Sequence, residues 1–173
     1  SLHTWEGWVA ALQTKRRVIS LDLPGFGLTG PFPDGDYRMA HYSAFLGHVL
    51  DQLQVARVVL AGNSFGGQLA WQFALDQPQR VERLVLVDAA EIGEKAGTLQ
   101  VIPPETIAEM FIFSTHNMPL NFLIDELKTF VPEVIFVGVQ PAIVAFSFPM
   151  TEMVSEAMDY LYQHLDAAKD TGL

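Results

Sequence analysis

The chain of 173 residues is half apolar, contains no cysteine and carries a formal net charge of −10. This length fits one domain with its own core, and the lack of cysteine excludes disulfides and thiolate metal sites. The acidic balance argues against a nucleic-acid partner, and without an apolar run of 18 residues or a signal-peptide pattern we expect a soluble, cytoplasmic chain with no membrane partner.

Apolar runs bounded by Gly, Pro and Asn predict strands, and apolar residues spaced three and four apart predict helices. In chain order we expect helix 4–13, strand 17–27, helix 42–53, strand 57–63, helix 66–78, strands 83–90 and 97–103, helices 104–111 and 118–130, strands 133–141 and 143–149, and a last helix capped by Thr151. The alternation predicts an α/β fold over one domain, 1–173. Its doubly wound, mostly parallel sheet would have about five or six strands with helices on both faces, a three-layer α/β/α arrangement.

The stretch "AGNSFGGQLA" contains the pattern Gly-x-Ser-x-Gly at Gly62–Gly66, between a predicted strand and a predicted helix. Two glycines let the backbone turn sharply and lift Ser64 to the carboxyl edge of the sheet. This context predicts a nucleophile elbow, whereas the alternative is a tight turn that happens to contain a serine.

Residues 1–90 resemble an interior segment of an α/β-hydrolase, through "LDLPGFGLTG" and "VVLAGNSFGGQLAWQFALDQPQRVERLVLVDAA". The resemblance implies that Ser64 is the nucleophile and that the Phe65 amide is one oxyanion donor. The family's second oxyanion loop precedes the helix with which this sequence starts, and its acid and histidine loops have no recognisable counterpart downstream. The family's strand between its fourth strand and its elbow strand is also missing. We therefore interpret Ser64 as a remnant nucleophile.

Residues 84–173 resemble the C-terminal part of a hydrogenase maturation protease, through "LVLVDAAEIGEKAGTLQVIPPETIAEMF", "STHNMPLNFLIDELK" and "EVIFVGVQPAIVAFSFPMTEMVSEAMDYLYQHL". The resemblance implies that Asp88 and His116 are two ligands of a nickel site, and carboxylate oxygen and imidazole nitrogen suit that metal. A third, acidic ligand of that family has no equivalent after Gly62, so we expect an incomplete, remnant site.

Each candidate residue also has a purely structural interpretation. Asp88 is placed to cap a turn at the end of a strand, which is as good an explanation as a metal ligand. His116 stands at the predicted start of a helix. Because a third metal ligand is missing, a structural role at the helix start is favoured over a role as a ligand. Asp22, beside Pro24 and Gly25, is more typical of a turn than of a catalytic acid.

The two resemblances meet at "LVLVDAA", where the composition also changes. Residues 1–90 carry seven basic and eight acidic side chains, and residues 91–173 carry three and twelve. All three Trp lie in the first part and five of six Met in the second. We interpret the chain as an engineered chimera of a hydrolase-like segment, 1–88, and a maturation-protease-like segment, 84–173, with a sequence start that suggests processing or recombinant design.

This interpretation predicts a chain that folds but lacks efficient catalysis, because both parent sites are incomplete. One alternative is a weak serine esterase that uses Ser64, with Asp88 and His116 nearby at the same sheet edge. Another is weak binding of nickel or a hydrogenase peptide through Asp88 and His116. Whether the chain is an enzyme stays open at this point. We expect no cofactor apart from weakly held nickel, no natural partner, and at most a homodimer through an exposed sheet edge.

Overall fold

The computed structural model describes residues 2–103, 127–142 and 151–164. Four α-helices lie in these ranges: α1 (Glu6–Leu12), α2 (Met39–Gln52), α3 (Phe65–Asp76) and α4 (Glu152–His164). Short 3-10 helices lie at Leu2–Trp5 and Pro78–Arg80. Residues 127–130 are also helical. The four strands of the described ranges are β1 (Val58–Gly62), β2 (Val81–Ala89), β3 (Leu99–Val101) and β4 (Val134–Val139).

The strands form one mixed sheet in the order β1-β2-β4-β3. β2 lies in its middle and pairs in parallel with β1 on one side and with β4 on the other. β3 pairs with β4 antiparallel. The continuous apolar run Leu84–Val87 is buried on both sides, which is the pattern of a central parallel strand.

Helices cover both faces of the sheet, so the predicted three-layer α/β fold is confirmed. On one face, Leu84, Leu86 and Phe136 pack in a cluster with the apolar sides of α2 and α3. On the other face, the valines of β2 and β4 pack against Trp8 of α1 and against Val154 and Met158 of α4. Adjacent residues of β2 alternate between the two clusters, as the twofold repeat of a strand requires.

The described ranges contain four strands, fewer than the five or six that were expected. The predicted strand 17–27 is wrong: its backbone pairs with no other strand of the described residues, although Leu23 packs against the core. A strand needs a neighbouring backbone to satisfy its amides and carbonyls, and apolar residues alone do not supply one. The predicted strand 143–149, helix 104–111 and most of helix 118–130 lie outside the described residues.

The remaining predicted elements are present with small shifts at their ends. The last helix starts directly after Thr151, but the Thr151 hydroxyl is buried without a hydrogen-bond partner, so the predicted side-chain cap is wrong. α3 ends at Asp76, two residues before Pro78, because the residue before a proline disfavours the helical conformation. Throughout the described ranges, no helix is both long and apolar enough to cross a membrane.

Candidate functional site

Ser64 occupies the sharp turn between β1 and α3, and its backbone has φ 51° and ψ −123°. Positive φ is uncommon for a residue with a side chain, and this ψ lies far from the left-handed helical region. Such strain persists only where the surrounding structure enforces it. Because Ser64 is also exposed to solvent, its backbone has the geometry required of a strained elbow that presents a side chain.

Close packing of glycines produces this turn. A Cβ atom on Gly62 would lie 2.5 Å from the carbonyl oxygen of Gly66 and 2.6 Å from the Cα atom of Gly67. The amide of Gly66 donates to the carbonyl of Asn63 over 2.9 Å, and the amide of Gln68 donates to the carbonyl of Ser64 over 3.0 Å. The start of α3 therefore lies against the end of β1 with no room for a side chain at position 62.

Asn63 ties the elbow to the neighbouring strand. Its side-chain amide donates to the carbonyl of Val87 over 2.8 Å. In the parallel ladder Gly62 is paired with Leu86, so the residues that follow on each strand leave the sheet side by side. This register brings the hydrolase-like turn next to the end of β2.

Asp88 lies at that end, adjacent to the elbow. Its carboxylate accepts a hydrogen bond from the amide of Ala89 over 2.9 Å, and the amide of Ser64 also favours its charged form. Burial raises the pKa of Asp88 above its ordinary value, and the two amides oppose the increase by stabilising the charged form. Ser64 and Asp88, predicted from two different resemblances, therefore form one cluster.

Phe65 begins α3, so its amide has no partner in the hydrogen-bond ladder of its own helix. An amide in this position is suited to donate to an anionic oxygen beside Ser64. The Phe65 ring contacts two other rings, with centroids 5.4 Å from Phe26 and 5.1 Å from Tyr42. The sequence prediction named Phe65 for its amide and did not anticipate these ring contacts.

The loop that carries Phe26 is fixed by Asp22 and Tyr42. The Asp22 carboxylate accepts from the amide of Leu2 over 2.7 Å and from the amide of Leu28 over 3.3 Å. The first of these bonds is the main reason that the pKa of Asp22 lies below its usual value. The buried Tyr42 hydroxyl donates to the carbonyl of Pro24 over 2.8 Å. Asp22 therefore holds backbone amides and does not reach the elbow through any of these bonds.

His116, the other expected metal ligand, lies outside the described residues. In the part of the chain that is described, no three His, Cys, Asp or Glu side chains are grouped as a metal site. His3 contacts Glu6 and His41 contacts Asp36, and no described histidine makes a hydrogen bond to Ser64. The Asp88 carboxylate by itself does not supply the set of ligands that nickel requires.

Comparison with known proteins gives two kinds of relative. A family described as the alpha/beta hydrolase fold matches residues 1–132. Over 92 residues the chain is 42% identical to 2-hydroxy-6-oxo-2,4-heptadienoate hydrolase of Pseudomonas putida, which covers 51% of this chain and 33% of that protein.

The second relative is hydrogenase 3 maturation protease of Escherichia coli K12, 48% identical over 93 residues. The match covers 54% of this chain and 60% of that protein. The crystal structure of a hydrogenase 3 maturation protease superposes with a TM-score of 0.50 at 46% identity, over 56% of this chain and 62% of that one. The chain thus spans three fifths of one relative and one third of the other, and resembles both as predicted.

Proposed function

Because this chain belongs to the alpha/beta hydrolase fold family, we propose that it joins a hydrolase-derived segment, about 1–88, to a maturation-protease-derived segment, about 84–173. The joint lies in β2, a strand that suits both parents. Natural fusions usually join whole domains through linkers, so a joint inside a strand favours engineered recombination of sub-domain fragments. The two kinds of relative found by comparison support two sources for the chain.

We further propose that this protein folds without efficient catalysis. The observation that carries the proposal is the cluster at the elbow: beside Ser64 stands the Asp88 carboxylate, while the described His3 and His41 make their hydrogen bonds to Glu6 and Asp36. A serine hydroxyl needs a base, usually imidazole, to take its proton during attack. Loss of a triad member lowers turnover by several orders of magnitude, and the loss of an oxyanion donor lowers it by about 10²–10³.

Hydrolysis of p-nitrophenyl acetate tests this proposal. Unmodified protein would be compared with Ser64→Ala and with Ser155→Ala, which changes an exposed serine of α4, after circular dichroism confirms that all three are folded. We expect three equal rates, because the described residues supply no imidazole base to Ser64. A steady-state rate near the enzyme median of about 10 s⁻¹ that is lost only with Ser64 would refute the proposal.

A second candidate function is slow, Ser64-dependent attack on activated esters. The strained backbone of Ser64 and the position of the Phe65 amide favour it, since both are features of an elbow that presents a nucleophile. This function predicts a single acyl group on Ser64, detected by mass spectrometry after incubation with p-nitrophenyl acetate. Its absence from folded protein would exclude this candidate.

Weak binding of nickel or of a hydrogenase peptide through Asp88 and His116 is a third proposal, supported by the similarity to the maturation protease. Nickel titration by calorimetry would compare the unmodified chain with Asp88→Asn and His116→Ala. Binding that both changes weaken would support the proposal, and equal binding by all three proteins would refute it.

A homodimer through the edge of β1 is a further proposal. In the described ranges β1 pairs only with β2, and Val59 on this strand is 43% exposed. An uncovered strand edge is a template for pairing with another chain. Sedimentation velocity should then detect a dimer at high concentration that Val59→Lys abolishes. A monomer at every concentration would contradict this.

A further inference from the structure

An exposed aromatic ring stands next to the elbow. Phe26 is 44% exposed, and its ring lies tilted by 31° against the ring of Phe65, the residue that follows Ser64. Phe65 in turn contacts the buried Tyr42, which contacts Phe32 with centroids 5.0 Å apart. The four rings form a continuous row from the core to the surface, and the row includes Phe65, the residue that follows the serine.

The loop of Phe26 holds this ring in place at the surface. The amide of Gly25 donates to the carbonyl of Gly30, and the amide of Thr29 donates to the carbonyl of Phe26, over 3.0 and 3.1 Å. Gly27 has φ +54°, and a Cβ atom there would overlap the Asp22 carboxylate. Leaving part of a large apolar ring in water forgoes the gain from burying it. A ligand that covers the ring recovers this free energy.

We propose that Phe26 and Phe65 form an apolar subsite for the alkyl or aryl group of an ester that reacts at Ser64. Phe26 is then a specificity-determining residue, which makes contact with substrate and takes no part in proton transfer. The inference rests on the second candidate function, slow reaction of Ser64. It names the substrate class of that reaction: esters with an extended apolar acyl group are preferred over acetate.

Two fluorophosphonates that share a reactive group test the subsite, one with a methyl and one with an octyl substituent. In the labelling step the Ser64 Oγ atom bonds to phosphorus, the phosphorus–fluorine bond breaks, fluoride leaves, and the hydroxyl proton passes to water. Mass spectrometry would give the labelling rate of Ser64 in the unmodified chain, in Phe26→Ala and in Phe26→Leu. Tyr160→Ala is the matched control, because Tyr160 is an exposed aromatic residue of α4, on the opposite side of the sheet.

We expect the octyl probe to label the unmodified chain about fivefold faster than the methyl probe, from the area of ring that it covers. Phe26→Ala should lower the octyl rate until it equals the methyl rate of the same variant, Phe26→Leu should keep part of the preference, and Tyr160→Ala should keep it whole. Equal rates for both probes, or a preference that survives Phe26→Ala in folded protein, would overturn the subsite but leave Ser64 reactive. No label from either probe would overturn the reactivity of Ser64, and the subsite with it.

Discussion

Ser64 and Asp88 lie at the carboxyl ends of the neighbouring strands β1 and β2. The amide of Ser64 favours the charged form of the Asp88 carboxylate, while Gly62 gives the elbow the space to turn. The pattern Gly-x-Ser-x-Gly was enough to predict the turn, because only glycine permits such close backbone contact. The contact between Ser64 and Asp88 could not be predicted from local pattern, since it depends on the register between β1 and β2.

Gly62→Ala should destabilise the fold. Its Cβ atom would lie 2.5 Å from the Gly66 oxygen, so the elbow must open, and overpacking of this kind costs about 1–3 kcal/mol. Urea unfolding gives the change in the free energy of unfolding. Gly66→Ala is the matched control, because a Cβ atom there meets nothing within 4 Å. Equal effects of the two substitutions would show that the close contact at Gly62 does not determine the turn.

Asp88 should make stability depend on pH. Because burial raises its pKa in the folded state, the folded chain holds this proton to higher pH than the unfolded chain does. The contribution of Asp88 to stability therefore falls as pH rises from the unfolded value of about 3.8 through the folded pKa. Asp88→Asn should be more stable than the unmodified chain at pH 7, with a smaller difference at pH 4.

Urea unfolding at the two pH values measures this difference. Asp159→Asn, at an exposed position of α4, controls for the loss of one negative charge. If Asp88→Asn were less stable than the unmodified chain by the same amount at pH 4 and pH 7, the charge of Asp88 would carry no burial cost.

At the scale of elements, a buried side chain organises the connection between β2 and β3. Gln140 follows β4 and is buried; its side-chain oxygen accepts from the amide of Ile92 over 2.9 Å and from that of Glu94 over 3.4 Å. Its side-chain nitrogen donates to the Glu91 carboxylate over 3.1 Å. No local pattern indicates these hydrogen bonds, because the partners lie 46 to 49 positions away.

The strands and helices were largely predictable from the sequence, and the wrong prediction of a strand at 17–27 has a clear cause. The apolar run of β2 and the apolar spacing of α3 are local signals that remain valid once the chain is folded. Residues 17–27 carry the same apolar signal but have no strand partner in the described ranges. Pairing is a property of two segments, so apolar residues in one of them cannot determine it.

Gln140→Leu should destabilise the protein by about 2–4 kcal/mol, because it keeps most of the side-chain volume but leaves two partly buried amides without their acceptor. Urea unfolding measures the loss, and hydrogen exchange at the amide of Ile92 should accelerate. The exposed Gln100 of β3 provides the control, Gln100→Leu. Matching losses from the two substitutions would mean that the Gln140 hydrogen bonds add nothing to stability.

At the scale of the whole molecule, both segments contribute to one sheet and to both cores. β2 pairs with β1 of the first segment and with β4 of the second. Trp8, from the start of the chain, packs in one cluster with Val137 and Val139. On the other face, Leu127 and Val131 share a cluster with the apolar residues of α2 and α3. Both segments therefore contribute apolar residues to both clusters.

The central claim is that the hydrolase-like and maturation-protease-like segments form one cooperative domain through β2, and urea unfolding followed by two probes tests it most directly. Tryptophan fluorescence reports on the first segment, which contains all three Trp, and methyl resonances of Met153 and Met158 report on α4. We predict a single transition with the same midpoint for both probes. Two separate midpoints would mean that the segments fold independently, and would contradict the claim.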